Sequence, residues 1–313
     1  KYGFQNTGLI EVELNSANDF PDSYHNAHQF AKCSKLTKIT LKMATRISSN
    51  CFLECAQLSY VDAPLVTAID YYSFSGCNSF YNLTFPSVTW IGEGAFKDNS
   101  LITEVKLDSL NSIEGSSFEG CTNLKNAELL NIVSIGDSSF KDCVSLETID
   151  MPKLQKIGKY GFQNTGLIEV ELNSANDFPD SYHNAHQFCL CQRLRHISMK
   201  TASKVTSYMF ESCVSLESLE LDSCTWIEQT SFTGCSSIKS FVLGFGVIES
   251  STVPFKADLF EISLPKATIL KEGAFYNCKQ MTTCKLPSVI TIEKSAFQNC
   301  NLLTELEIPK VTE

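Results

Sequence analysis

"FKDCVSLETIDMPKLQKIGKYGF", residues 140–162, begins and ends at phenylalanine, with its inward-type side chains at Cys143, Leu146, Ile149, Met151, Leu154 and Ile157. Phe162 restarts the cycle, so the unit is 22 residues long and reads F-x-x-C-x-x-L-x-x-I-x-L-x-x-V-x-x-I-x-x-x-x. The same unit is marked by Phe30, Phe52, Phe74, Phe96, Phe118, Phe188, Phe210, Phe232, Phe275 and Phe297. A shorter copy surrounds Val253, and the units of Phe4 and Phe162 carry an insertion, giving about fourteen in all. Self-similarity at such a period is the mark of a stacked repeat architecture.

Within each unit the I-x-L pair alternates in and out, as in "ETIDMP" and "TELEIP", the pattern of a short half-buried strand. Pro64, Pro86, Pro152, Pro265, Pro287 and Pro309 follow its inward residue, where they end a strand without removing an interior hydrogen bond. Segments such as "IGEGAF" supply a turn compatible with one short helical or 3-10 turn. One such unit cannot bury its apolar face alone, so copies must stack in parallel register around a shared core. The expectation is an α/β repeat solenoid spanning 1–313 as one domain, with one continuous parallel β-sheet and short helical turns opposite.

These motifs, F-x-x-C-x-x-L-x-x-I-x-L-P followed by V-x-x-I-G-x-x-A-F, resemble the BspA-like leucine-rich repeats of bacterial and protist surface proteins, and the resemblance covers essentially the whole chain. The units here run one residue shorter between the proline and the following valine, a departure that bears on curvature. The resemblance implies a right-handed leucine-rich-repeat coil, a cell-surface or secreted location, and adhesion to host proteins or other cells, with no shared catalytic position. An intracellular structural location stays open beside it.

Residues 1–30 return without a change at 159–188. The chain therefore reads as two seven-coil blocks, 1–158 and 159–313. Neither end carries a polar capping unit, so we expect a piece of a longer array, or else ends that meet neighbouring molecules end to end or laterally.

Composition narrows the partners. With a net charge of -10, a nucleic-acid backbone is disfavoured, and no apolar run is long enough to insert in a membrane. No G-x-S-x-G, Walker loop, G-x-G-x-x-G or H-E-x-x-H is present, so neither an enzyme nor a cofactor is expected. Ten of fourteen cysteines stand three places after the phenylalanine, in runs such as Cys33, Cys55 and Cys77 that cannot all pair. They read as a ladder of buried thiols, with Thr7, Asn99, Thr165 and Lys256 at the missing rungs and Cys51–Cys55 as the best place for a local bridge. Absent C-x-x-C spacing with histidine partners, a structural zinc site built from the ladder is not expected.

Two candidate surfaces remain. The outward strand residues carry fourteen acids against five lysines, densest at Glu104, Asp108, Glu128, Asp150, Glu169 and Glu171, which would draw a basic protein segment or serve only solubility. The insertions, "DFPDSYHNAHQF" at 19–30 and 177–188, offer Tyr24, His25 and His28 with twins Tyr182, His183 and His186. On a helical turn each histidine pair would share one side with Asp22 or Asp180, a trio able to hold a divalent metal; alternatively Pro21, Asp22 and Ser23 simply start and cap a helix. Both insertions are expected to protrude, roughly 34 Å apart at about 4.8 Å per coil, and to favour a repetitive partner. Two functions follow: a non-catalytic adhesion or recognition module for a protein or glycan, or a structural spacer or filament-associated scaffold with a seven-coil superperiod.

Overall fold

The computed structural model describes residues 3–16, 28–81, 83–179, 184–228, 230–249, 251–252 and 259–309. Alternation at the I-x-L pair does make strands, and they run parallel. The wall they build contains β1 (Glu11–Glu13), β2 (Lys38–Thr40), β4 (Tyr60–Asp62), β7 (Glu104–Lys106), β9 (Asn126–Glu128) and β11 (Thr148–Asp150) in the first half. β13 (Glu169–Glu171), β14 (His196–Ser198), β16 (Ser218–Leu221), β18 (Ser240–Leu243), β20 (Glu261–Ser263), β22 (Thr283–Lys285) and β24 (Glu305–Glu307) continue it. Their central residues stack inward in register, Val105 on Ala127 on Ile149 and Val170 on Ile197 on Leu219.

The result is a right-handed parallel β-solenoid of about 12 turns. Leu83–Phe85 forms no strand, and residues 253–258 of the shortened unit lie outside the described residues.

Three sequence expectations need correction. The long-strand wall is not one continuous sheet; it comprises three ladders, β1-β2-β4, β7-β9-β11 and β13-β14-β16-β18-β20-β22-β24. A second parallel wall, unforeseen, is made by two-residue strands at the V-x-x-I end of each coil, among them β3 (Arg46–Ile47), β5 (Ala68–Ile69), β6 (Trp90–Ile91), β8 (Ser112–Ile113), β10 (Ser134–Ile135) and β12 (Lys156–Ile157). Finally, the described residues contain no helix, α or 3-10, and thus none long and apolar enough to cross a membrane.

The helical turns fail for a backbone reason. Two residues before and two after the marker phenylalanine, φ is positive, as at Ser138 (58°) and Asp142 (60°) around Phe140 and at Tyr72 (53°) and Gly76 (72°) around Phe74. Left-handed residues this close together interrupt any right-handed turn and instead point backbone N–H groups at the next coil. Phe118 N donates to Ser139 O at 2.8 Å and Phe140 N to Gly161 O at 2.8 Å.

That geometry packs successive coils tightly at the preceding glycines. A Cβ on Gly158 would lie 2.4 Å from the Gly136 carbonyl carbon and 2.5 Å from Asp137 N, both backbone atoms that cannot turn away. Gly158→Ala is therefore expected to lower stability by about 2 kcal/mol, the range for overpacking a rigid site. Glu54→Gly, at φ 57°, should leave stability unchanged or raise it by about 1 kcal/mol by relieving a left-handed L-residue. Denaturation of the two variants beside the parent checks both signs.

The core is a column of phenylalanine rings. From Phe4 to Phe232 each marker ring stacks on the next, 5.0 to 5.6 Å between centroids. The column resumes with Phe275 on Phe297 at 5.2 Å.

Beside it run the cysteines, all free thiols, and nine of the ten ladder thiols donate to the marker carbonyl one coil earlier, among them Cys55 to Phe30 O at 2.9 Å, Cys143 to Phe118 O at 3.1 Å and Cys213 to Phe188 O at 3.1 Å. At a missing rung Asn99 Nδ2 makes the same bond to Phe74 O, at 2.8 Å. Thr165 instead bonds Phe162 O of its own coil at 3.0 Å and lies 3.1 Å from Cys191 Sγ. Cys51 and Cys55 form no bridge, Cys55 being engaged as a donor.

A disulfide would remove these donors from buried carbonyls, so the ladder is expected to stay reduced. Burial pushes Cys55, Cys121 and Cys235 up to about 12. Folded protein at neutral pH should accordingly resist thiol-directed alkylation, whereas protein unfolded without reductant should expose more than half of its thiols to titration. A count near zero after unfolding would show a disulfide framework instead.

Candidate functional site

Because one face of the long-strand wall is outward, register lays its side chains in two columns. Glu104, Asn126 and Thr148 form one column on β7-β9-β11, and Lys106, Glu128 and Asp150 the other. The second ladder continues with Glu169, His196 and Ser218 beside Glu171, Ser198 and Glu220. Glu104, Glu128, Asp150, Glu169 and Glu171 thus lie on the face as read from the sequence. Asp108 does not: it sits in the turn after β7.

Part of the acidity is locally answered. Lys106 Nζ lies 2.7 Å from Glu128 Oε1, and that hydrogen bond holds the ammonium above its usual range. Lys200 pairs with Glu220 at 3.3 Å and Lys285 with Glu261 at 3.1 Å. Among the described residues Glu104, Asp150, Glu169 and Glu171 have no ion pair within 4 Å.

The last three flank a seam. β11 and β13 touch without sharing a ladder. Gly166 lies so close to the earlier coil here that a Cβ would fall 2.5 Å from Val144 O. Arg193 crosses over that coil to Glu147, Nη1 to Oε1 2.8 Å.

The insertion is only partly an outward feature. Tyr24, His25, Tyr182 and His183, with Asp22 and Asp180, lie outside the described residues. Asp177 extends the short-strand wall by a parallel bridge to Lys156, and Phe178 is buried. On the return, Tyr160 N donates to Ala185 O at 3.0 Å, and buried Gln187 donates to Pro179 O at 3.2 Å while accepting from Thr206 Oγ1 at 3.0 Å. Both ends of the second insertion are thus tied to neighbouring coils, while residues 180–183 between them lie outside the described residues.

His28 and His186 have φ of 48° and 49°, so neither is itself in a right-handed helical conformation. His186 is instead sandwiched by Tyr160 and Tyr208, with ring centroids 5.2 and 5.0 Å away. Its Nδ1 is buried and lies 3.2 Å from Glu211 Oε2, off the line a hydrogen bond requires. Cys189 Sγ is 3.5 Å from the same carboxylate oxygen.

Comparison with known families now decides the lineage. The model described as "BspA type Leucine rich repeat region" matches in six copies over residues 1–79, 45–169, 156–257 and 248–313. The chain belongs to this family. None of the curated proteins compared with it matches.

Among solved structures, a leucine-rich repeat protein from Bacteroides ovatus is similar at 22% identity, covering 96% of this chain and 87% of that one, with a TM-score of 0.49. A leucine-rich cell surface protein from Faecalibacterium prausnitzii is 21% identical over 96% and 88%, with a TM-score of 0.48. The Drosophila Toll–Spatzle complex aligns at 15% identity over 87% of this chain and 39% of that one, with a TM-score of 0.52, a likeness of fold.

BspA-type repeats are a scaffold commonly used for protein interaction and generally without catalysis. What departs from the scaffold here is the seam and the His186 group. Sequence reading missed Cys189 and Glu211, yet the two blocks held the signal. The first letter after the thirty identical ones changes from Ala31 to Cys189, and one coil later Leu53 is matched by Glu211.

Proposed function

We propose that this BspA-type repeat is a non-catalytic recognition module whose contact surface is the acidic face across the β11–β13 seam, and that its partner presents a basic protein segment. The observation that carries the reading is the concentration of unpaired carboxylates, Asp150, Glu169 and Glu171, where the two ladders separate. Carboxylates this close reinforce one another's potential and steer a cationic chain toward the seam. Family membership supports presentation at a cell surface.

A lysine-rich peptide labelled for fluorescence anisotropy tests it. Replacing Asp150→Asn, Glu169→Gln and Glu171→Gln together should weaken binding about tenfold, since each exposed charge contributes roughly 0.5 kcal/mol. Binding of the parent should also fall as salt shortens the screening length. Equal affinity of parent and triple variant overturns the proposal.

A further inference from the structure

We propose that His186, Cys189 and Glu211 form a zinc-binding site present only in the second block, with its fourth position left to water or an exogenous donor. The site is independent of the acidic face.

Donor chemistry and geometry agree. Imidazole nitrogen, thiolate sulfur and carboxylate oxygen are the ligand types zinc takes in tetrahedral sites, with bonds of about 2.0–2.3 Å. Those bond lengths place a nitrogen and an oxygen ligand roughly 3.3 Å apart and a sulfur and an oxygen roughly 3.5 Å apart. The observed separations are 3.2 Å for His186 Nδ1 to Glu211 Oε2 and 3.5 Å for Cys189 Sγ to the same oxygen. All three donor atoms lie within 4.8 Å of one another, and this is the one such three-residue group among the described residues.

The surroundings fit a prepared site. Tyr160 and Tyr208 fix the imidazole plane from both sides, and its buried Nδ1, unaligned with the carboxylate, is left with a lone pair to give. Binding converts Cys189–SH and Zn²⁺ into zinc thiolate and one proton released to solvent.

The first block is an internal control. His28 repeats His186 within the identical thirty residues, but the matching partners are Ala31 and Leu53, neither of which binds metal. Verbatim duplication therefore does not account for the cluster; both additional ligands are peculiar to one copy.

The test is titration of the reduced, chelator-stripped chain with Co²⁺ followed by Zn²⁺. A near-ultraviolet thiolate-to-cobalt band with tetrahedral d–d absorption should saturate at roughly one ion per chain and be displaced by zinc. Cys189→Ala and Glu211→Leu install the first block's own residues, which keeps folding comparable, as thermal melting will confirm. Each should weaken binding at least about a hundredfold, because loss of supporting partners alone costs 10–100-fold. His28→Ala should change nothing. The proposal fails if the parent shows no thiolate band, if the band persists at full affinity in Cys189→Ala, or if His28→Ala diminishes it equally.

Discussion

Phe118→Ala is expected to cost about 3–5 kcal/mol, the range for emptying a buried phenylalanine site. The ring is fully buried and stacks on Phe96 at 5.5 Å and Phe140 at 5.4 Å, within 8° of parallel to both. Neighbouring coils are held apart by backbone ladders on two walls, so they cannot collapse into the void. Each stacked pair adds about 0.5–1.5 kcal/mol beyond burial, and this substitution removes two.

A repeat array derives its cooperativity from nearest-neighbour interfaces, so a break at mid-array should also separate one denaturation transition into two. Phe4 is 44% exposed and has one stacked neighbour, Phe30. Phe4→Ala should therefore cost under about 2 kcal/mol and leave the transition single. Equal costs for the two variants would mean that the column is not a coupled element.

Arg46→Ala should cost about 3 kcal/mol by a different route. Asp70 follows β5 with no exposed surface, and Arg46 on β3 meets it twice, Nε donating to Oδ2 at 2.8 Å and Nη2 lying 2.7 Å from Oδ1. The guanidinium also lies over Trp90, 6.0 Å from the ring centroid. Removing the cation takes its two-point ion pair from a buried carboxylate, a change that costs about 3–5 kcal/mol when both partners are buried. The lower end applies because the Arg46 side chain is 51% exposed.

Asp70→Asn in the Arg46→Ala background should recover part of the loss, since an amide is cheaper to bury than a charge. A double-mutant cycle by denaturation measures that coupling. If the four proteins show additive effects, the pair does not act as a unit.

The acidic face illustrates how far a pattern reaches. Alternation alone placed Glu104, Glu128, Asp150, Glu169 and Glu171 outward, because a strand residue beside an inward one must face away. It misplaced Asp108, since counting cannot tell where a three-residue strand gives way to its turn. Nor could it show that Lys106 neutralises Glu128, two residues 22 apart in the chain that meet only when coils stack.

Sequence by itself determined the repeat, the inward phenylalanine, cysteine and leucine places, and the parallel stacking of coils. These are consequences of a local periodicity that must be buried every 22 residues. Tertiary structure alone decided the rest. Two-residue strands such as Ser134–Ile135 have too little pattern to read and exist because a neighbouring coil supplies hydrogen bonds on each side. Left-handed φ at Tyr72, Glu54 and Leu190 runs against residue preference and is imposed by the backbone bonds between coils. The break at β11–β13 shows only in the pairing of neighbouring coils, and the His186, Cys189 and Glu211 group forms across two coils, where only stacking brings a ring, a thiol and a carboxylate together.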